Sequence, residues 1–200
     1  MNPQNKSFPD RKQLRLELRE KRRSLGHEVQ VATGKQVAEI ALHQDTLPIG
    51  QHIALYMAAD GEVSTLSLLD ALLAMNKQCY LPVLEEETTT LQFRQFLPEA
   101  ALVTNRFGLL EPDSEAKVIN ANELDNVFMP LVGFDEQGNR LGMGKGYYDR
   151  SFAFLMDKTA TGPVLIGLAH ECQRVESLEA ANWDVPLGGI ITGQQMYLVG

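Results

Sequence analysis

The feature that most restricts the fold is a change of period along the chain. Short apolar runs at 53–58, 79–84, 91–96, 127–134, 164–170 and, more weakly, 189–192 stand between stretches whose apolar residues recur at helical spacing. A strand that is apolar at successive positions has to be covered on both faces, and helices between such strands supply the cover. The stretch 10–25 has Asp10 as its cap, Leu14, Leu18 and Leu25 on one stripe, Arg11, Arg15, Arg19 and Arg22 on another, and Gly26 as its stop. The stretch 28–43 offers Val31, Val37, Ala38 and Ala41 as buried positions. After the Asp60-Gly61 turn, 64–75 places Leu66, Leu69, Leu72 and Leu73 on one face. The expected class is α/β: a single three-layer α/β/α domain over residues 1–200, Rossmann-like, with a mostly parallel central sheet. A polar loop at 85–90 and a linker-like segment at 111–122 are too short to divide the chain.

Composition narrows the function classes. With 44% apolar and 22% charged residues the chain has the mix of a folded globular protein. No apolar stretch approaches the roughly 18 residues that span a bilayer, and the basic start lacks the apolar run of a secretory signal. Cys79 and Cys172 stand far apart, so they form neither a disulfide framework nor a closed zinc site, and each reads as a small buried residue. A cytoplasmic monomer is expected, without a membrane partner. The four histidines form no H-E-x-x-H and no i, i+4 pair, and Trp183 is expected to serve packing.

Charge is distributed unevenly. Residues 1–23 hold eight of the eighteen basic side chains against three acids, a net of +5, whereas the remainder carries −13. A basic element on so acidic a body docks on that body or captures a small anion, while long nucleic acid would be repelled beyond the contact. No nucleic-acid partner is expected.

The chemistry concentrates in 128–150, FMPLVGFDEQGNRLGMGKGYYDR. A buried strand runs into a turn at 135–139, and glycines at 138, 142, 144 and 146 lead into a helix starting about Tyr147. Alternating glycines let main-chain N–H groups face a ligand at close range, and the following helix start adds unpaired N–H groups. Arg140 and Lys145 add full charges, so the segment reads as a phosphate cradle. It is not a Walker A loop, because Gly146 follows Lys145 where Ser or Thr belongs, nor a dinucleotide fingerprint, because Tyr147 stands in place of the third glycine. Asp149, just inside the helix, either complements its dipole or holds Mg²⁺ beside the phosphates, with Asp184 as a second carboxylate or a turn former.

The run Phe134-Asp135, Gly138, Arg140-Leu141-Gly142-Met143-Gly144-Lys145-Gly146-Tyr147-Tyr148-Asp149 strongly resembles the signature of the 5-formyltetrahydrofolate cyclo-ligase family, also called 5,10-methenyltetrahydrofolate synthetase. The basic helix, Tyr56-Met57 before Asp60-Gly61-Glu62 and Thr65, Leu81-Pro82, and Trp183-Asp184 follow in the family's order. The resemblance implies an ATP site at Arg11 or Lys12, Arg15, and the loop Arg140, Leu141, Gly142, Met143, Gly144, Lys145, Gly146, Tyr147 and Tyr148. Arg11 stands where the family usually has lysine, which leaves open whether Arg11 or Lys12 reaches the phosphates. It further implies Mg²⁺ on Asp149 and Asp184, a folate site lined by Met57, Glu62, Met143 and Tyr147, and Arg140 and Lys145 as the catalytic cations.

The implied reaction converts 5-formyltetrahydrofolate to 5,10-methenyltetrahydrofolate with ATP as co-substrate. The formyl carbon on N5 is amide-like, and phosphorylation of its oxygen creates a leaving group that attack by N10 displaces. Such chemistry asks the protein for positioning and charge neutralisation more than for a nucleophile. The rivals are a phosphate-binding isomerase or acyl transferase, a nucleic-acid-binding regulator and a nicotinamide oxidoreductase.

Overall fold

The computed structural model describes residues 10–43, 46–84, 88–106, 108–157 and 159–199. The helices are α1 (Arg11–Arg23), α2 (His27–Leu42), α3 (Leu66–Ala74) and α4 (Tyr147–Ser151). The strands are β1 (His52–Ala54), β2 (Gln78–Val83), β3 (Gln92–Gln95), β4 (Leu102–Thr104), β5 (Leu110–Pro112), β6 (Val118–Ile119), β7 (Asn126–Pro130), β8 (Gly133–Phe134), β9 (Arg140–Leu141), β10 (Val164–Leu168), β11 (Gly189–Ile191) and β12 (Met196–Leu198).

Eight strands form one sheet in the order β12-β11-β10-β7-β1-β2-β3-β6. The five from β11 to β2 are parallel, and β12, β3 and β6 add antiparallel edges. Successive residues of the central strands enter opposite cores, which explains their unbroken apolar runs. Ile53, Leu55, Cys79, Leu81, Phe128 and Ile166 pack with Val37, Ala38 and Ala41 of α2 and Leu68, Leu69 and Leu72 of α3. Ala54, Tyr80, Val127, Met129 and Leu165 face Phe152, Val185 and Leu187 on the other side. The α/β/α arrangement is therefore as expected, with a thin second helical layer of α4 and the 3₁₀ turn Ala153–Met156.

Several local expectations are corrected. Val31 is exposed because the buried stripe of α2 runs through Thr33, Gly34, Val37, Ala38 and Ala41. Leu66 is exposed because the buried face of α3 centres on Leu68, Leu69 and Leu72. Gly26 does not stop α1; it is extended and forms the N-cap position of α2. The run 127–134 is two elements: β7 ends at Pro130, and β8 turns away to pair with β9. The segment 111–122 is no linker, since it contributes to β5 and β6, and Glu111 is buried, accepting from Leu84 N at 3.1 Å and Asn105 Nδ2 at 2.6 Å. The polar loop expected at 85–90 lies partly outside the described residues. Both cysteines are free thiols, Cys79 buried and Cys172 half-buried. Among the described residues no helix is long and apolar enough to cross a membrane.

The basic helix docks on the body. Asp10 caps it by accepting from Lys12 N at 3.0 Å. Leu18 is buried with Val132, Leu141 and Leu178, and the fully buried Arg22 donates to Leu131 O at 3.0 Å, Asp60 O at 2.9 Å and Asp60 Oδ2 at 2.7 Å. Arg19 reaches Asp60 Oδ2 at 2.8 Å, and Arg23 pairs with Asp60 Oδ1. Burial alone would raise the Asp60 pKa, but the hydrogen bonds from Arg19, Arg22 and Arg23 outweigh it and bring the carboxyl down to about 2.

Removing one partner from a buried ion pair costs about 3–5 kcal/mol, and Asn tolerates the positive φ of +55° that Asp60 adopts. Asp60→Asn is therefore expected to lower stability at pH 7 by about 3 kcal/mol in urea unfolding. The unfolded carboxyl titrates near 3.9, above the native value, so the stabilisation is complete above about pH 4 and disappears as the pH falls towards 2. The gap between wild type and variant should close over that interval.

Candidate active site

The chain leaves β1 towards β2 on one side and returns with β7 and then β10 on the other, which makes the β1/β7 boundary the topological switch point of the sheet. Open parallel sheets bind ligands beyond the carboxyl ends of their strands at such a point. There the protein has a cavity of about 930 Å³. Tyr56 and Met57 after β1 and Met129 and Pro130 at the end of β7 form part of its floor, while Pro82, Leu84, Leu91, Leu109 and Leu110 form an apolar wall. Gly142 to Asp149, Arg11 and Arg15, and residues 179–184 complete it.

Helix α1 contributes to both ends of the cavity. Arg11 donates to Glu179 O at 2.9 Å and lies 3.9 Å from Asp184 Oδ2. One turn on, Arg15 Nε donates to Gly142 O at 2.8 Å, which joins the helix to the glycine segment. At the far end Arg22 lies 3.6 Å from Glu62 Oε1. Eleven residues at 1.5 Å rise separate Arg11 from Arg22 by about 16 Å along the axis, so the Asp184 end and the Glu62 end are distinct.

The glycine segment is held from below and open above. Buried Asp135 accepts from the N–H groups of Gln137, Asn139 and Leu178 at 3.1, 2.9 and 2.8 Å, fixing the turn between β8 and β9. Gly144 and Gly146 have φ of +87° and +66°, and a Cβ at 146 would stand 2.9 Å from Arg150 Nη1. The space beside Gly142 is open. Lys145 is exposed on the cavity wall, and among the described residues its ammonium makes no hydrogen bond or ion pair. Tyr147 carries the Arg150 guanidinium over its ring at 5.4 Å.

Arg140 is buried, donating to Val185 O and pairing with Asp149 Oδ1, which also accepts from Val185 N at 3.3 Å. Its guanidinium thus orients Asp149 as well as facing the cavity. Asp149 Oδ2 and Asp184 Oδ1 have no hydrogen-bond partner among the described residues, whereas Asp184 Oδ2 accepts from Ala181 N at 2.9 Å. Two carboxylates with oxygens to spare beside the glycine loop suit Mg²⁺, which takes few protein ligands and completes its shell with water and substrate oxygens.

At the other end, Glu62 Oε2 accepts from Ala59 N at 3.1 Å, and burial raises its pKa despite Arg22. Burial, reinforced by the charge of Glu62, also pushes the Tyr56 and Tyr148 phenols up, so both are neutral donors near neutral pH. Tyr56 OH donates to Val63 O at 2.9 Å, and the Tyr148 ring stacks on Phe152 at 6.5 Å.

Met57, Glu62, Arg15, Arg140, Gly142, Met143, Gly144, Lys145, Gly146, Tyr147, Tyr148, Asp149 and Asp184 all lie on this cavity. Between Arg11 and Lys12, it is Arg11 that does. Lys12 is exposed outside the cavity wall, and the Leu141 side chain is fully buried in the α1 core. Trp183 is not a packing residue: it is 72% exposed on the cavity wall. Sequence reasoning gave no role to Asp135 or His170. His170 Nε2 lies 3.2 Å from Gly61 O and steadies the turn before Glu62, and burial lowers its pKa. Asp135 stands in the quoted signature and at the head of the predicted turn, where its bonds to Gln137 and Asn139 are local, but its bond to Leu178 and the contact of His170 with Gly61 are fixed only by the fold.

Comparison with known proteins gives the family and supports the fold. The model of the 5-formyltetrahydrofolate cyclo-ligase family matches residues 7–193. A 5-formyltetrahydrofolate cyclo-ligase of Haemophilus influenzae is 42% identical over 92% of this chain and 97% of that protein, and one of Escherichia coli is 36% identical over 90% and 98%. The solved 5,10-methenyltetrahydrofolate synthetase of Aquifex aeolicus superposes with a TM-score of 0.79 at 28% identity, covering 94% of this chain and 92% of the other. The chain therefore belongs to the 5-formyltetrahydrofolate cyclo-ligase family.

Proposed function

We propose that this chain closes 5-formyltetrahydrofolate to 5,10-methenyltetrahydrofolate, using ATP and Mg²⁺ and releasing ADP and phosphate. The observation that carries the reading is one cavity with two unlike ends, an open glycine loop whose Lys145 is unpaired among the described residues and a half-buried carboxylate on Glu62. The first suits a triphosphate, and the second suits the N–H donors of a pterin ring. The protein is taken to act as a single-domain monomer in the cytoplasm.

In this scheme Glu62 anchors the pterin while Met57, Met143 and Tyr147 line its ring. The formyl oxygen on N5 attacks the γ-phosphorus and ADP leaves. N10 then attacks the activated formyl carbon and gives up its proton, and cleavage of the carbon–oxygen bond releases phosphate and leaves the methenyl ring. Lys145, Arg15 and Arg11 neutralise the phosphate oxygens, and Arg140 holds Asp149 in register. Asp149 and Asp184 would hold Mg²⁺, which when bound adds charge neutralisation at the phosphates. The apolar wall keeps water away from the activated formyl carbon.

Product absorbance after mixing ATP, Mg²⁺ and 5-formyltetrahydrofolate with the pure protein tests the reading, and a flat trace ends it. Lys145→Ala removes one charge-assisted contact, so kcat/KM for ATP should fall about 10- to 100-fold with the fold intact. Asp149→Asn should raise the Mg²⁺ concentration for half-maximal rate, and full activity in both variants would displace the loop from the ATP site. Arg15→Ala should raise KM for ATP more than KM for the folate; the reverse would assign α1 to the folate.

A further inference from the structure

We infer that Trp183 is the stacking plate for the adenine base of the nucleotide, an assignment that rests on the ATP site proposed above. Trp is ordinarily well buried, and this one, the single Trp of the chain, leaves 72% of its surface exposed on the wall of the cavity. Its loop is fixed on both sides. Arg11 donates to Glu179 O at 2.9 Å, Ala181 and Asp184 exchange hydrogen bonds of 2.9 Å, and Val185 N donates to Asp149 Oδ1 at 3.3 Å. The same side chains that face the triphosphate therefore hold the segment carrying the indole.

An exposed aromatic plate beside cations and carboxylates fits a planar ring attached to a metal-bound phosphate chain. The position along α1 selects the purine over the pterin: Trp183 adjoins Asp184 at the Arg11 end of the helix and Glu62 stands at the Arg22 end, two ends separated by about 16 Å of helix axis. With the triphosphate on Gly142 to Gly146 and its γ end directed towards the folate, the base falls at the opposite end, where the indole stands. Stacking accepts any purine, so base selectivity is expected to be weak.

The lone indole allows a direct test by its emission. Mg²⁺-ADP should change Trp183 fluorescence saturably, while inorganic tripolyphosphate, which has no base, should leave it nearly unchanged yet displace ADP. Trp183→Ala should raise KM for ATP about tenfold with KM for 5-formyltetrahydrofolate unchanged, and Trp183→Phe should restore most of the loss. Suppose calorimetry shows that ADP binds and that Lys145→Ala weakens it, but emission does not move and Trp183→Ala binds ADP as tightly as wild type. The stacking assignment then falls while the ATP site stands. An emission change with the folate and none with ADP also overturns it by placing the indole on the folate arm. If ADP does not bind at all, the proposed function falls with it.

Discussion

The buried guanidinium of Arg22 is the contact on which the site depends. It joins α1 to the carbonyl of Leu131 beyond β7 and to both the carbonyl and the carboxylate of Asp60 beyond β1. A charge taken wholly out of water is tolerable only when its donors are satisfied, so this geometry permits little drift of helix against sheet. The approach is so close that a Cβ on Gly61 would stand 3.0 Å from Arg22 O and 3.1 Å from Arg23 Cα, at a φ of +75°. Docking of the helix and the shape of the Asp60-Gly61 turn are thus a single constraint. Its consequence is the placement of Glu62 at one end of the cavity and of Arg11 and Arg15 towards the other.

A second constraint links the two carboxylates to the loop. Arg140 leaves β9, pairs with Asp149 at the start of α4 and donates to Val185 O one residue beyond Asp184. One buried cation therefore sets the relative position of two acids 35 residues apart in sequence. Its role is broader than the free phosphate-neutralising charge that composition alone implied. Lys145, exposed and unpaired among the described residues, fits that simpler role better.

The layered fold was legible because burial on both faces forces unbroken apolar runs, and the turn before α4 because glycine readily takes the positive φ that Gly144 and Gly146 adopt. Faces of helices were less legible. Val31 and Leu66 satisfy a helical period as well as their buried neighbours do, and only tertiary packing selects the stripe. The apolar run 127–134 conceals the end of β7 at Pro130, and the reversal of β8 onto β9 is held by Asp135, whose bonds to Gln137 N and Asn139 N are local while that to Leu178 N is set by the fold. Glu111 looked like part of a polar linker because its partners, Leu84 and Asn105, lie elsewhere along the chain. Trp183 failed for the opposite reason: apolar character predicts burial on average, and a residue presented to a ligand departs from that average.

The uneven charge of the chain takes its meaning from where the arginines point. Arg19, Arg22 and Arg23 converge on one aspartate, Arg15 turns to Gly142 O, and Arg11 to Glu179 O and Asp184. All five arginines of α1 are thus engaged with acceptors of the protein's own fold, as befits a basic element that docks on an acidic body. Arg11, Arg15 and Lys145 line the cavity. Around them lies a body of net −13, whose field discourages polyanions while a compact metal-bound triphosphate, its charge partly cancelled, meets far less opposition.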